Sequence, residues 1–377
     1  MRTLGLAIVL AVGCSPFLTG AAGLTGGTGT IYLGSYAKRI VVIDEATERV
    51  TSQIPLATGI PWNVHRSQDA TRFYIENADQ EHLEVVDIAS RKSIDSFTLS
   101  EGNKKVRVLD FEADPQHRVM TLVTRTTTKL VDRFEIGAPT LVQYDLRDHK
   151  VIRALPWATD PEPGYFSLVL RYSPDGKLLY VFSDKVLILD ATSLQQVATW
   201  DLSLPNEPAL GRFDPGSLDD TNDDPNWFSA LFTMNDPVQH RPLLVVGRVN
   251  LDQRQLDFFP LGPAAQQGQL SFVLGGDRRH AYALLQSIGH AEVWTIDLAG
   301  KRRQSRVEFN GRPRMAIRSS SNGKIIYLHQ AGNTIDLYDA DGFKYLRTIT
   351  LDGDMPYSTF YVLPPRPAPG LPAGAPR

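Results

Sequence analysis

The sequence predicts an all-β fold, a seven-bladed β-propeller of four-stranded antiparallel blades whose ring is closed by the C-terminal strand. Three observations predict it. A β-branched run ending in aspartate and a turn recurs along the chain, a tight turn feeding an apolar strand precedes most copies, and the final apolar segment is an inner strand without a blade of its own. With 42% apolar and 21% charged residues, the chain has enough material for a large core.

The first element of the repeat reads Val41-Val42-Ile43-Asp44, then Val85-Val86-Asp87, Val142-Gln143-Tyr144-Asp145 and Leu187-Ile188-Leu189-Asp190. A degenerate copy, Val249-Asn250-Leu251-Asp252, is followed by Trp294-Thr295-Ile296-Asp297 and Asp336-Leu337-Tyr338-Asp339. The seven aspartates are spaced by 43, 58, 45, 62, 45 and 42 residues, a period of 42 to 45 with two stretched copies. An aspartate closing a strand bonds backbone just beyond it and fixes the turn, so these residues are read as structural. The second element is the turn before the strand. Ser173-Pro174-Asp175-Gly176-Lys177 leads into Leu178–Phe182, Ser321-Asn322-Gly323-Lys324 into Ile325–Leu328, Gly275-Gly276-Asp277 into Ala281–Leu284, and Ser67-Gln68-Asp69 into Phe73–Ile75.

One further strand before the turn and one after the aspartate, such as Leu346–Leu351, make four per period, the composition of a propeller blade. The inner strands are predicted at Pro61–Arg66, Arg107–Ala113, Phe166–Tyr172, Trp227–Met234, Leu270–Leu274, Arg314–Arg318 and Tyr357–Leu363. The first complete strand, Thr30–Gly34, starts one position later in a blade, so the two ends share a blade and shut the ring.

Both termini carry their own signals. Met1-Arg2, an apolar run from Leu4 to Val12 and small residues to Gly23 have the three parts of an export signal, and the run is too short to span a bilayer. Thr19-Gly20-Ala21 and Gly20-Ala21-Ala22 suit ordinary cleavage, whereas Ala11-Val12-Gly13-Cys14 resembles a bacterial lipoprotein box with Cys14 as the lipidation candidate. Residues 1–22 are thus assigned as signal segment, 23–30 as a flexible Gly/Thr linker, 31–363 as propeller and 364–377 as a proline-rich tail. The expected location is the bacterial periplasm or cell envelope, with membrane contact only through a lipid anchor.

Composition excludes several classes. Against 42 acidic residues stand 39 basic ones, a net charge of -3, which gives no basic excess for nucleic acid. The single cysteine excludes a disulfide framework, a Cys-rich zinc module and covalent haem attachment. No catalytic set and no metal set emerges. The eight histidines lack metal spacing, and no G-x-S-x-G elbow is present. In Asp219–Asp224, Pro225 and Leu231 stand where an EF-hand loop needs glycine and glutamate, which leaves a solvated acidic loop or weak calcium binding. The cluster of Lys301, Arg302, Arg303 and Arg306 reads as a solvated turn or an anion site, and His65 as a core histidine or a channel residue. Aromatics on or beside inner strands, Trp62, Phe166, Trp227, Phe228, Tyr357 and Tyr361, are the candidates for a ligand or partner surface at a channel mouth, or for packing between blades.

The unit Tyr-Val…Val-x-x-Ile-Asp-x-x-Thr resembles the YVTN-type propeller repeat of bacterial envelope proteins. Lys129–Ile136, Pro139-Thr140 and Tyr144-Asp145, an extended hairpin in the third blade followed by a Ser-Pro-Asp-Gly blade, and the Asp214–Pro242 insertion are similar to the β subunit of quinohemoprotein amine dehydrogenase. That resemblance implies a periplasmic, non-redox scaffold subunit forming a wall of an active site. Its implied partners are a small quinone-bearing subunit and a dihaem cytochrome subunit, so quinone and haem would sit on the partners and no cofactor on this chain. Two further readings stand beside it: a self-contained envelope propeller binding a small molecule or protein, and a propeller lactonase or hydrolase.

Overall fold

A computed structural model describes residues 23–157, 168–183, 185–201, 214–219, 223–224, 226–236, 238–263, 269–311 and 314–365. Every regular element among them is a β-strand, and the strands form seven separate antiparallel sheets, six of four strands and one, the third blade, with a fifth strand added to its four. The sheets are the blades of a ring. Blades 2 to 7 run in sequence order, with inner strands Pro61–Arg66, Lys104–Ala113, Val169–Tyr172, Asp214–Asp219, Gln269–Leu274 and Ala316–Ser319. Blade 1 takes its inner strand, Phe360–Leu363, from the C-terminus and pairs it with Thr30–Ser35.

Seven hydrophobic clusters hold the ring, one at each boundary between neighbouring blades, including the boundary of blade 7 with blade 1. This location explains the repeat. The second and third strands are buried on both faces, as in Arg39–Asp44 and Arg72–Asn77, so they read as continuous β-branched and aromatic runs. Outer strands such as Arg49–Pro55 face solvent and turn polar.

The strand-end aspartates have the structural role expected of them. Asp44 accepts the Thr47 amide at 2.8 Å, Asp87 that of Ser90 at 2.7 Å, Asp190 that of Ser193 at 2.7 Å and Asp297 that of Gly300 at 2.9 Å. The Thr47 hydroxyl and amide hold the Asp44 carboxyl below the usual carboxylate range. In blade 5, however, Asn250 closes the strand and accepts the Gln253 amide at 2.9 Å, so Asp252 is a turn residue. An amide oxygen serves this turn as well as a carboxylate does.

Blade 5 also departs from the predicted strand order. Its inner strand is Asp214–Asp219, with an irregular register between Pro215 and Leu218, and Trp227–Asn235 is the second strand. The inner-strand assignment of Trp227–Met234 is thereby corrected. The sequence Asp-Pro-Gly-Ser-Leu-Asp has no apolar run to mark a strand, whereas its partner does.

The lead-in expected to be a flexible linker is fastened to blade 7. Asn322 Nδ2 donates to the Thr25 carbonyl at 2.9 Å, the Asn322 amide to that of Gly26 at 3.1 Å, and Arg347 to that of Leu24 at 2.7 Å. Blade 3 carries the extended hairpin. Val119–Lys129 continues beyond its pairing with the third strand, flanked by Lys104–Val108 on one side and Phe134–Ile136 on the other.

Candidate functional site

Inner strands line the channel of a propeller, and the turns that follow them fix which residues are equivalent. The amides of Ser67, Asp114, Ser173, Gly275 and Ser320 each donate to the carbonyl five residues on, and Ala70, His117, Gly176, Arg278 and Gly323 share a positive φ at the fourth turn position. Two residues before each turn stand His65, Glu112, Arg171, Val273 and Arg318. Four of these five equivalent inner-strand positions therefore bear a titratable or charged group, and the fifth, Val273, is buried between blades 6 and 7.

Three of them form a connected arc. The His65 ring stacks on Phe111 with centroids 4.2 Å apart, its Nδ1 lies 3.5 Å from Glu112 Oε2, and its Nε2 lies 3.8 Å from Asp110 Oδ1. Arg171 reaches the other Glu112 oxygen at 3.8 Å. Glu112 Oε2 is buried and receives no hydrogen bond. In blade 5, Arg248 pairs with the Asp223 carboxylate at 3.5 Å and sits 4.8 Å from the centre of the Trp227 ring. Arg318 donates to the carbonyls of Phe360 at 2.6 Å and Ile317 at 2.8 Å. Among the described residues no group of His, Cys, Asp and Glu has the arrangement of a metal site. The arrangement suits a polar ligand, since it brings a carboxylate, an imidazole and a guanidinium together from three inner strands.

Burial pushes the Asp110 carboxyl up to about 6, opposed by His65 and by the Leu170 amide, which donates at 2.8 Å. A carboxyl that binds its proton more tightly in the folded chain loses stability as pH rises from about 4 to about 6, and the loss is complete above that window. We expect Asp110→Asn, which keeps an acceptor for Leu170, to stabilise the protein at pH 7 by up to roughly 3 kcal/mol and to flatten that slope. Urea unfolding at pH 4 and pH 7 checks this; an equal pH slope in the variant would refute it.

The aromatic candidates separate into groups. Trp62 is half-buried at the start of its inner strand, and its carbonyl accepts Ser358 Oγ at 2.7 Å beside the half-buried Tyr357, so these two share one mouth. Tyr361 is buried between blades 1 and 2, where its hydroxyl donates to the Val64 carbonyl. Phe228 is buried between blades 4 and 5, stacked on Phe182 at 4.1 Å. Trp227 begins a second strand, which puts it at the opposite mouth from Trp62. Phe166 and Cys14 lie outside the described residues.

Residues 220–222 of the acidic stretch lie outside the described residues, while Asp224 and the basic cluster are engaged. Asp224 pairs with Arg278 at 3.2 Å, Lys301 with Asp257 at 2.6 Å, and Arg306 with Glu292 and Glu308 at 2.8 Å, while Arg303 lies over the Trp294 ring at 4.5 Å. Sequence reading missed Asp110, Glu112, Arg171 and Arg318 because no linear motif joins them. Aligning the turns and counting back two residues is the signal that finds three of them.

No protein-family model and no curated protein matches the chain. Solved structures do. The chain is similar to a hydrazine synthase of Kuenenia stuttgartiensis, at 13% identity and a TM-score of 0.51, over 81% of this chain and 90% of that one. It is similar to a functionally unknown protein from Desulfotomaculum acetoxidans DSM 771, at 12% identity and a TM-score of 0.54, over 90% of this chain and 100% of the other. A dihydro-heme d1 dehydrogenase, NirN, in complex with DHE matches at 12% identity and a TM-score of 0.52, over 87% and 74% of the two chains. What they share with it is the fold. The chain is a seven-bladed β-propeller.

Proposed function

We propose that this chain is an exported, non-redox binding and scaffold propeller that docks a partner through the mouth bearing the blade 3 hairpin. The observation that carries this reading is the hairpin tip. Val131 is 108% exposed, Phe134 66% and Ile136 70%, at the end of a three-stranded extension of the blade whose edge is Phe134–Ile136. Exposed apolar residues on a free strand edge are a liability unless something covers them. The partner class follows from the resemblance of the hairpin: a small quinone-bearing subunit with a dihaem cytochrome subunit, the redox groups residing on those chains. The names of two fold neighbours, a hydrazine synthase and a dihydro-heme d1 dehydrogenase, support the reading by analogy of architecture only.

Purification of the full-length tagged chain from its native host tests the proposal. The expected result is co-purification of a haem-containing chain, detected by absorbance and mass spectrometry, and its reduction by at least about tenfold in Phe134→Asp/Ile136→Asp with an unchanged melting temperature. Recovery of the wild-type chain without any partner overturns it. The charged channel arc of His65, Glu112 and Arg171 favours a second reading, a self-contained envelope module that holds a polar small molecule in the channel.

A further inference from the structure

One blade boundary, distant from the hairpin, differs from the others. The residue seven positions after each turn start is Tyr74, Thr121, Tyr180, Tyr282 or Tyr327, and four of the five tie their blade to the next. The Tyr74 hydroxyl bonds His117 Nδ1 at 2.7 Å, Thr121 bonds the Tyr172 hydroxyl at 2.6 Å, Tyr180 donates to the Leu251 carbonyl at 2.9 Å, and Tyr327 to Glu45 at 3.0 Å. Tyr282 is the exception. The residue is only 2% exposed, and among the described residues its hydroxyl makes no hydrogen bond.

Where the tie is missing, the boundary between blades 6 and 7 opens into a cavity of about 680 Å³, within the range of roughly 300–1,000 Å³ usual for small-ligand sites. Tyr282, Thr295, Gln304 and Ser305 line it from blade 6, and Lys324, Asp339 and Asp341 from blade 7. Leu24 of the fastened lead-in adds a wall. Asp277 accepts from His280 Nδ1 at 2.7 Å, which leaves the other imidazole nitrogen for the cavity. Burial, together with the negative field of Asp277, Asp339 and Asp341, pushes the Tyr282 hydroxyl far up, so it is a neutral donor at every physiological pH.

The lining specifies the ligand. Tyr282 and Lys324 offer donors, Asp339 and Asp341 offer acceptors, and Thr295, Ser305 and Gln304 offer both. A purely cationic ligand leaves the donors unanswered, and an anion meets more acids than bases. Vicinal hydroxyls donate and accept side by side without a net charge. We propose that the cavity between blades 6 and 7 binds a neutral carbohydrate, with Tyr282 and Lys324 donating to its hydroxyls and Asp339 and Asp341 accepting from them.

Isothermal titration of the full chain with cellobiose, maltose and N,N′-diacetylchitobiose, and with spermidine as the cationic control, tests the proposal. The expected result is saturable binding of at least one sugar, weakened about tenfold by Tyr282→Phe and by Lys324→Ala. Tyr282→Phe should leave the melting temperature unchanged, whereas Tyr180→Phe at the tied position should lower it and leave sugar binding intact. Saturation by spermidine alone, absence of saturable binding by all three sugars, or wild-type sugar affinity in Tyr282→Phe each overturns it.

Discussion

Deletion of residues 357–377 is expected to abolish cooperative folding altogether. The deleted stretch includes Phe360–Leu363, whose four apolar side chains are all buried and which pair in register with Leu33, Tyr32, Ile31 and Thr30. Burying a large apolar side chain contributes roughly 1.5–3 kcal/mol, so these four contribute on the order of 6–12 kcal/mol, the size of a whole domain's net stability. Polar ties go with them: the Gly34 amide loses the Thr359 carbonyl at 3.0 Å, and Arg318 loses the Phe360 carbonyl. The deletion also bares Thr30–Ser35 as an edge in the middle of an apolar layer, which promotes association between chains. Differential scanning calorimetry should show no unfolding transition for the truncated chain, and Tyr361→Phe, which removes only the hydroxyl bonded to Val64, should cost about 1 kcal/mol. A truncated chain that melts cooperatively near the full-length temperature would show that blade 1 stands without its inner strand.

Much of this architecture is legible in the sequence because the physical demands repeat. Every second and third strand lies between two blades, so each must be apolar on both faces, and each third strand must then turn under an Asx bond. Those constraints produce the period, the blade count and the shared blade of the two ends. Legibility fails where one demand is met by different chemistry. Asn250 does the work of an aspartate, and Asp214–Asp219 forms an inner strand without an apolar run because the hydrogen bonds to Trp227–Asn235 define it. The candidate sites are less legible still. His65, Glu112 and Arg171 lie on three blades and are 47 and 59 residues apart, so only their common offset from a turn relates them. Of the aromatic candidates, Phe228 and Tyr361 show why residue type alone does not locate a surface: in a propeller the same rings also fill the boundaries between blades. Tyr282 conveys the converse. It looks like its equivalents in sequence, and only the absent bond across the boundary sets it apart.

Glu45→Ala is expected to be the most damaging single substitution. Glu45 follows the third strand of blade 1, is fully buried, and accepts four hydrogen bonds that tie three segments together. The Gly29 amide of the lead-in donates at 2.9 Å, the Ser321 amide of the blade 7 turn at 2.9 Å, the Tyr327 hydroxyl at 3.0 Å, and the Ser321 hydroxyl completes the set. Alanine leaves four donors facing a hole, and an unanswered buried donor costs about 1–3 kcal/mol, so the variant should lose on the order of 4 kcal/mol or more. Burial nevertheless raises the Glu45 carboxyl above its ordinary value, with the Ser321, Tyr327 and Gly29 bonds opposing the rise. The folded chain therefore holds this proton more tightly than the unfolded chain does, and wild-type stability from this group falls as pH rises through the acid range. Glu45→Gln should lose that slope, and it should also be less stable than wild type at pH 7, since its amide nitrogen is a donor set against donors. Chemical unfolding from pH 4 to pH 7 separates the two effects. A Glu45→Ala protein within about 1 kcal/mol of wild type at pH 7 would mean that water answers the four donors and that the joint between lead-in, blade 1 and blade 7 is held by apolar packing alone.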